Sequence, residues 1–273
     1  MMSNLHAQTI EKKTKYTTKQ KLIISAFTIQ QLGSYYLEYK WWWQGDYHPF
    51  VFKSDGWANN YSLGIDKTGH FFTSYAVSSG LNELLKWGEF SDKSRRIAVF
   101  TIPALYALSI EIGDGFTSYA FSYSDLIMNM SGITYALLQD AYPALQNFNF
   151  KFSYFPSKRF IDNHFNGWTL TEDYDGHIYW FTSNLKYIAP TAVKKYIPEL
   201  INLGIGYGIV NYLGGGPMQR EFFIGIDYNL SSIKTKSQAL NSMIKIADKF
   251  HFPAPGYKKE GSQSFKLHGL ILN

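Results

Sequence analysis

The sequence predicts an α+β protein: an N-terminal bundle of about four apolar helices, then a small antiparallel β region with an amphipathic helix. Three observations predict it. Four long, mostly apolar segments occupy residues 22–140. Residues 201–209 and 221–230 alternate with period two, as strands do. Residues 236–250 then return to a helical period. The expected organisation is a leader over 1–20, a helical domain over 21–146 and a β-containing region over 147–273.

The leader is polar and rich in lysine, with Thr17 or Thr18 placed to cap the next helix. Its first eight residues lack the basic start and long apolar run of an intact secretory signal. They resemble the tail end of one, with cleavage falling at Ala7-Gln8; a short disordered leader is the alternative. The first helix spans Leu22 to Leu37 and runs into Trp41, Trp42 and Trp43, which cannot all point inward from one face. At least one is expected at a surface that something apolar covers. Residues 44–64 carry Gly45, Pro49 and Gly56 and read as an irregular connection.

Further helices are expected over Asp66 to Trp87, Ser94 to Ile112 and Ser122 to Asp140. None is an uninterrupted apolar run of spanning length, so a soluble bundle and one resting partly in lipid are both allowed. Beyond Asn147 the texture changes. Phe148 to Phe155 and Ile178 to Phe181 are short strand candidates. In Ile201 to Ile209 the odd positions are large and apolar, while Asn202, Gly204, Gly206 and Gly208 share the other face. After the turn at Gly214 to Pro217, Phe222, Ile224, Ile226 and Tyr228 repeat that polarity opposite Phe223, Gly225 and Asp227. Outer-membrane barrels and ordinary half-buried sheets both show such a hairpin, but the strands are too few for an eight-stranded barrel. The following helix carries an apolar stripe of Ala239, Leu240, Met243, Ile244, Ala247 and Phe250, and a last strand is expected within Ser264 to Leu272.

Composition narrows the function. The formal charge of +5 gathers largely on lysines 12 to 21, and no arginine cluster or zinc-finger spacing occurs, so nucleic acid is not an expected partner. Aromatic residues make up 18% of the chain, a content suited to recognition surfaces and membrane interfaces. The absence of cysteine removes thiol nucleophiles and thiolate metal sites.

The chemistry is concentrated in polar groups set within apolar helices. Asp66 and His70 lie four apart, on one helix face, and Ser74 continues that face. Glu111 and Asp114 are three apart; Asp125 and Asn129 are four apart. Burying such groups is costly unless they meet each other, a metal or a substrate. Two readings follow. In one, Asp66, His70, Glu111, Asp114 and Asp125 hold a divalent cation, with His70, Asp66 and Glu111 as the catalytic set. In the other, the same groups join Ser74, Ser122 and Asn129 in a structural polar network. Capping by Ser122 accounts for Asp125 without a function, though not for Asn129. The remaining candidates, His164, His177 and His251, have no partners at ligand spacing, and Ser78 and Ser79 have no base beside them.

Three segments carry a family resemblance: Asp66-Lys-Thr-Gly-His-Phe-Phe-Thr-Ser-Tyr75, Glu111-Ile-Gly-Asp-Gly-Phe116 and Phe121 to Gly132. In this order they resemble the YfiM-type envelope proteins of the DUF2279 group, over about residues 38 to 180. More faintly they are similar to VanZ-like membrane proteins. The resemblance implies a periplasmic or outer-membrane (lipo)protein with no established activity, whose partner is envelope lipid or another envelope protein. The chain departs from the lipoprotein pattern, because its 273 residues offer no cysteine for an anchor. The first expectation is therefore an exported, membrane-associated protein with an interaction or scaffolding role. The alternative is a metal-assisted hydrolase of a lipid or cell-wall substrate, acting through His70, Glu111 and Asp125.

Overall fold

The computed structural model describes residues 16–163, 169–212 and 214–272. Most of the expected leader and His164 lie outside these residues.

Helix α1 (Thr18–Glu38) opens with a capping box: Thr17 accepts from the Gln20 amide, and the Gln20 side chain accepts from the Thr17 amide. It ends in a wider turn over Tyr39–Trp43. Trp43 packs over Gly113, while Trp41 is left half exposed, as the crowding of three tryptophans requires. A short strand β1 (Phe52–Lys53) follows, then helices α2 (Ile65–Trp87) and α3 (Asp92–Asp114), strand β2 (Phe121–Ser122) and helix α4 (Tyr123–Ala141). Strands β1 and β2 pair in parallel and clamp the irregular connection onto the start of α4.

Helix α2 is the axis of this half. Its Leu81 and Leu85 pack with Ile23 of α1 and Val99 of α3, and its Phe72 and Tyr75 pack with Ala136 of α4. The α2–α4 crossing is close because of Gly132. A Cβ there would collide with the Phe71 carbonyl and lie 2.9 Å from the Tyr75 amide nitrogen. Such close backbone approach is a use that only glycine fills.

The remaining chain forms a six-stranded antiparallel meander, in spatial order as in sequence: β3 (Phe148–Tyr154), β4 (His177–Asn184), β5 (Ile201–Val210), β6 (Gln219–Tyr228), β7 (Gly256–Glu260) and β8 (Lys266–His268). Short helices α5 (Lys158–Asp162), α6 (Leu185–Ile188) and α7 (Thr191–Lys194) occupy connections, and α8 (Gln238–Ala247) lies before β7. The sheet is curled so tightly that Lys151 of β3 reaches Asp227 of β6, at 2.8 Å. After α8, Phe250 bridges the free edge of β3 at Phe152, with the Phe152 amide donating to the Lys249 carbonyl at 3.0 Å. The same stretch then continues into β7 on β6, so it joins the two sides of the curl as a small barrel. Glycines on β5 permit the curvature: a Cβ at Gly206 would lie 2.9 Å from the Trp180 ring.

The inside of this curl holds Ile178, Trp180, Phe223 and Ile271 together with Lys151, Asp227, Asp248 and His251. The outside is apolar. On β3 and β4 it is covered by the helical half, with Phe71 and Phe150 ring centroids 4.6 Å apart and Phe72 and Tyr179 5.8 Å apart. On β5 and β6 it is bare: Leu203, Ile205, Phe222, Ile224 and Ile226 are all exposed, Ile205 by 55%. Period two showed which residues share a face, and the structure adds that the apolar face points outward. The stripe expected on α8 behaves likewise, with Leu240 and Met243 exposed. Helix α1 also displays Leu22, Ile29, Leu32 and Tyr36. Among the described residues, only α3 is long and apolar enough by composition to cross a membrane.

Candidate functional site

The polar residues singled out in the sequence converge where the start of α2, the end of α3 and the start of α4 meet. At their centre stands a residue the sequence reading did not select. Lys67 is 3% exposed, and its ammonium lies 2.5 Å from Asp55, 2.6 Å from Asp125 and 2.9 Å from Asp66. Asp55 comes from the connection after β1 and is fixed further by Ser122 at 3.1 Å and Ser124 at 2.8 Å. Ser122 caps α4 by accepting from the Asp125 amide at 3.3 Å.

His70 stands beside this ion cluster. Its Nε2 is 3.6 Å from both Asp66 Oδ1 and Asp125 Oδ1. Asn129 bridges Ser74 Oγ, at 2.7 Å, and His70 Nδ1, at 3.3 Å, which gives the buried amide in α4 its partners. A cationic imidazole takes that amide turned over, oxygen toward Nδ1, the two ends being alike in shape. The Tyr174 hydroxyl donates to Asp66 Oδ1 at 3.0 Å, so the β half closes over one side of the cluster.

Charge in this cluster is set by a contest between burial and pairing. Burial alone would raise Asp66, but His70 and Lys67 outweigh it and hold the carboxyl well below its ordinary range. Asp55 is lowered in the same way, burial being outweighed by Lys67 and Ser124. Burial opposes the charge on His70, yet Asp66, Asp125 and Glu111 raise it to about 10. Lys67 is likewise raised against its burial by Asp66, Asp125 and Asp55. For Asp125 burial prevails over His70, and its pKa rises.

Glu111 and Asp114 take separate positions. Glu111 is 1% exposed and accepts from the Ser122 amide at 3.0 Å; burial lifts it to about 8 despite His70 and that bond. Asp114 turns toward the aromatic wall and accepts from Trp43 Nε1 at 2.7 Å, and burial raises it to about 6. The expected set therefore divides. One ligand atom each from Asp66, His70 and Asp125 lies within 4.8 Å of the others, and this group contains neither Glu111 nor Asp114.

Protonated Glu111 carries a pH prediction. Below about 4.5 the group is neutral in both folded and unfolded chains. Between 4.5 and about 8 the unfolded chain releases the proton while the folded one retains it, so stability falls as pH rises; above about 8 the loss levels off. Glu111→Gln keeps an acceptor for Ser122 and removes this titration. Urea melts at pH 5 and pH 7 should show a flatter pH slope in the variant, and a gain at pH 7 of roughly 1–3 kcal/mol. Equal slopes would exclude a neutral Glu111.

The arrangement can hold charge, order three helix ends and fix the imidazole. Its hydroxyls serve as ties: Ser122 and Ser124 both donate to Asp55, whose carboxylate is already paired with Lys67. Two cavities lie elsewhere, one among Asn82, Gln139 and Lys249, the other among Phe71, Met130 and Leu138. Sequence reasoning missed Lys67, Asp55 and Tyr174. The adjacent Asp66-Lys67 pair at a helix start was the one available signal.

Helices locked through a buried lysine–carboxylate hub, joined to a small curled sheet, define the class of this protein. Residues 54–141, from just before Asp55 to the end of α4, match DUF2279, a family described as predicted periplasmic lipoproteins. This family segment contains every residue of the hub except Tyr174, and it supports an exported protein on the periplasmic side of the cell envelope. No curated protein and no solved structure matches the chain.

Proposed function

We propose that this chain is an envelope-associated scaffold that rests its apolar outer surface against lipid without spanning it. The observation that supports the reading most is the inverted polarity of the C-terminal half. Lys151, Asp227, Asp248 and His251 are buried in the curl beside a small apolar cluster around Trp180, while Leu203, Ile205, Phe222, Ile224 and Ile226 face outward. Large contiguous apolar surface on a folded chain marks an interaction face, and apolar-out strands suit lipid. Strands β5 and β6 have 10 residues each, comparable to strands that contact a bilayer. Exposed aromatics at Trp41, Tyr47 and Trp57 suit an interfacial position. Helix α3 is tied to protein at both ends, through Arg95 to Asp140 at 2.9 Å and through Glu111 to Ser122 at 3.0 Å.

Flotation with phosphatidylethanolamine–phosphatidylglycerol vesicles tests this. The wild type should float with the vesicles, and Ile205→Gln with Ile224→Gln should lower the bound fraction about tenfold, since each side chain contributes roughly 1–2 kcal/mol when buried. Wild type left entirely in the soluble fraction would refute lipid contact and leave a protein partner for that face.

The second reading, a metal-assisted hydrolase acting on lipid or cell wall, is favoured by the close group of Asp66, His70 and Asp125. Their donor chemistry does not suit a divalent ion. Lys67 already places an ammonium among the carboxylates, 2.9 Å from Asp66 and 2.6 Å from Asp125, where a divalent ion would have to sit. We assign the hub to the fold and derive no catalytic step from it.

A further inference from the structure

A cavity of about 530 Å³ lies on the side of the molecule away from the hub. It opens between the ends of α2 and α4, the start of β3, the β4–α6 junction and the segment around Ser231. Its volume suits a small ligand. Five lysines and three carboxylates line it.

The carboxylates are already taken. Lys86 lies 2.8 Å from Asp140, Lys245 lies 2.9 Å from Glu83, and Lys186 lies 2.8 Å from Glu199. Lys249 and Lys234 have no carboxylate partner among the described residues. Lys249 donates to the Tyr75 hydroxyl at 2.5 Å and to Asn149 at 3.3 Å, and it sits 4.3 Å from the centre of the Tyr75 ring. An ammonium has three protons, so one remains for a ligand. Burial lowers Lys249 to about 8, which leaves it cationic at neutral pH. Lys234 donates to the Ser231 carbonyl at 2.6 Å.

The rest of the lining is amide-rich. Gln146, Asn147 and Asn229 spend their NH₂ groups on backbone carbonyls of Gln139, Ala144 and Glu199, each at 3.1 Å. Their amide oxygens have no partner among the described residues and are free to accept from hydroxyl groups. The Tyr187 ring, 45% exposed on the same wall, offers an apolar platform.

We propose that this cleft binds an anionic sugar, its acid group against Lys249 and Lys234 and its hydroxyls donating to Gln146, Asn147 and Asn229. Unpaired cations select the acid, amide oxygens select hydroxyls, and the tyrosine face covers a ring. The inference rests on the cleft alone and stands whether or not the outer wall meets lipid.

Isothermal titration of the full chain tests it with four probes: trigalacturonic acid, glucose 1-phosphate, maltotriose and inorganic phosphate. One acidic sugar should bind saturably at one per chain, about tenfold or more tighter than maltotriose and than phosphate alone. The better of the two acidic probes tells a carboxylate source from a phosphate source. Lys234→Ser, at an exposed position, should keep the melting temperature and weaken that binding about fivefold or more; Lys249→Gln should weaken it further. Three results would each overturn the proposal: no saturable binding of either acidic sugar up to roughly 10 mM, equal affinity for maltotriose or phosphate, or unchanged binding by Lys234→Ser.

Discussion

Lys67→Met should destabilise the protein by about 3–5 kcal/mol, among the largest losses open to a single substitution. The methionine fills similar space, so the cost is electrostatic. Asp55, Asp66 and Asp125 all lie within 2.9 Å of the Lys67 ammonium, and its removal leaves them facing one another with His70 as the nearest cation. Breaking a buried ion cluster by deleting one sign costs far more than the cluster itself contributes. Urea denaturation at pH 7 measures the loss. Much of it should return near pH 4, where protonation relieves the stranded carboxylates. A loss below about 1 kcal/mol would place Lys67 in solvent and dissolve the hub.

Lys151→Met should cost a similar amount, about 3–5 kcal/mol, from the other half of the molecule. Lys151 is fully buried inside the curl, and its three protons are all spent: on Asp227 at 2.8 Å, Asp248 at 2.7 Å and the Tyr228 carbonyl at 2.7 Å. These bonds tie β3 to β6 and to the end of α8, so their loss should loosen the barrel in particular. Hydrogen exchange should show protection falling at Phe152 and His251, whose amides complete the pairing of β3 with the 249–251 segment. Retained stability together with retained protection would mean that the curl is held by its apolar filling alone.

These two lysines show what the sequence could reveal. The helical half was legible because capping residues, helical spacing and chain punctuation agree: Ser122 caps α4, and Asp66, Asp125 and Asn129 all converge on His70, from faces that their spacing marks. The α+β class and the hairpin of β5 and β6 were legible from their periods. Lys67 was not, because a lysine in the first turn of a helix ordinarily reaches solvent, and its three partners come from a loop and two helices. Asp55 sits in a stretch whose glycines say only that it is irregular. Glu111 and Asp114 share a helix end, yet one caps inward on Ser122 and the other turns to Trp43, a division that spacing does not encode.

The β half hid its architecture for another reason. Period two assigns residues to faces, but which face points inward depends on what the curl encloses. Here Lys151, Asp227, Asp248 and His251, distant in sequence, supply that interior. Strand β7 begins just after Pro255, and its pairing with β6 is a tertiary event.

The central claim is that an ammonium, not a metal, neutralises the acidic hub. Thermal melts of the full chain with EDTA and with millimolar Mg²⁺, Mn²⁺ or Zn²⁺ test it most directly, because a ligand bound to the folded state raises the melting temperature. Coincident melts under all four conditions are the result this account predicts. A saturable rise of several degrees with one ion per chain, abolished by His70→Ala, would contradict it.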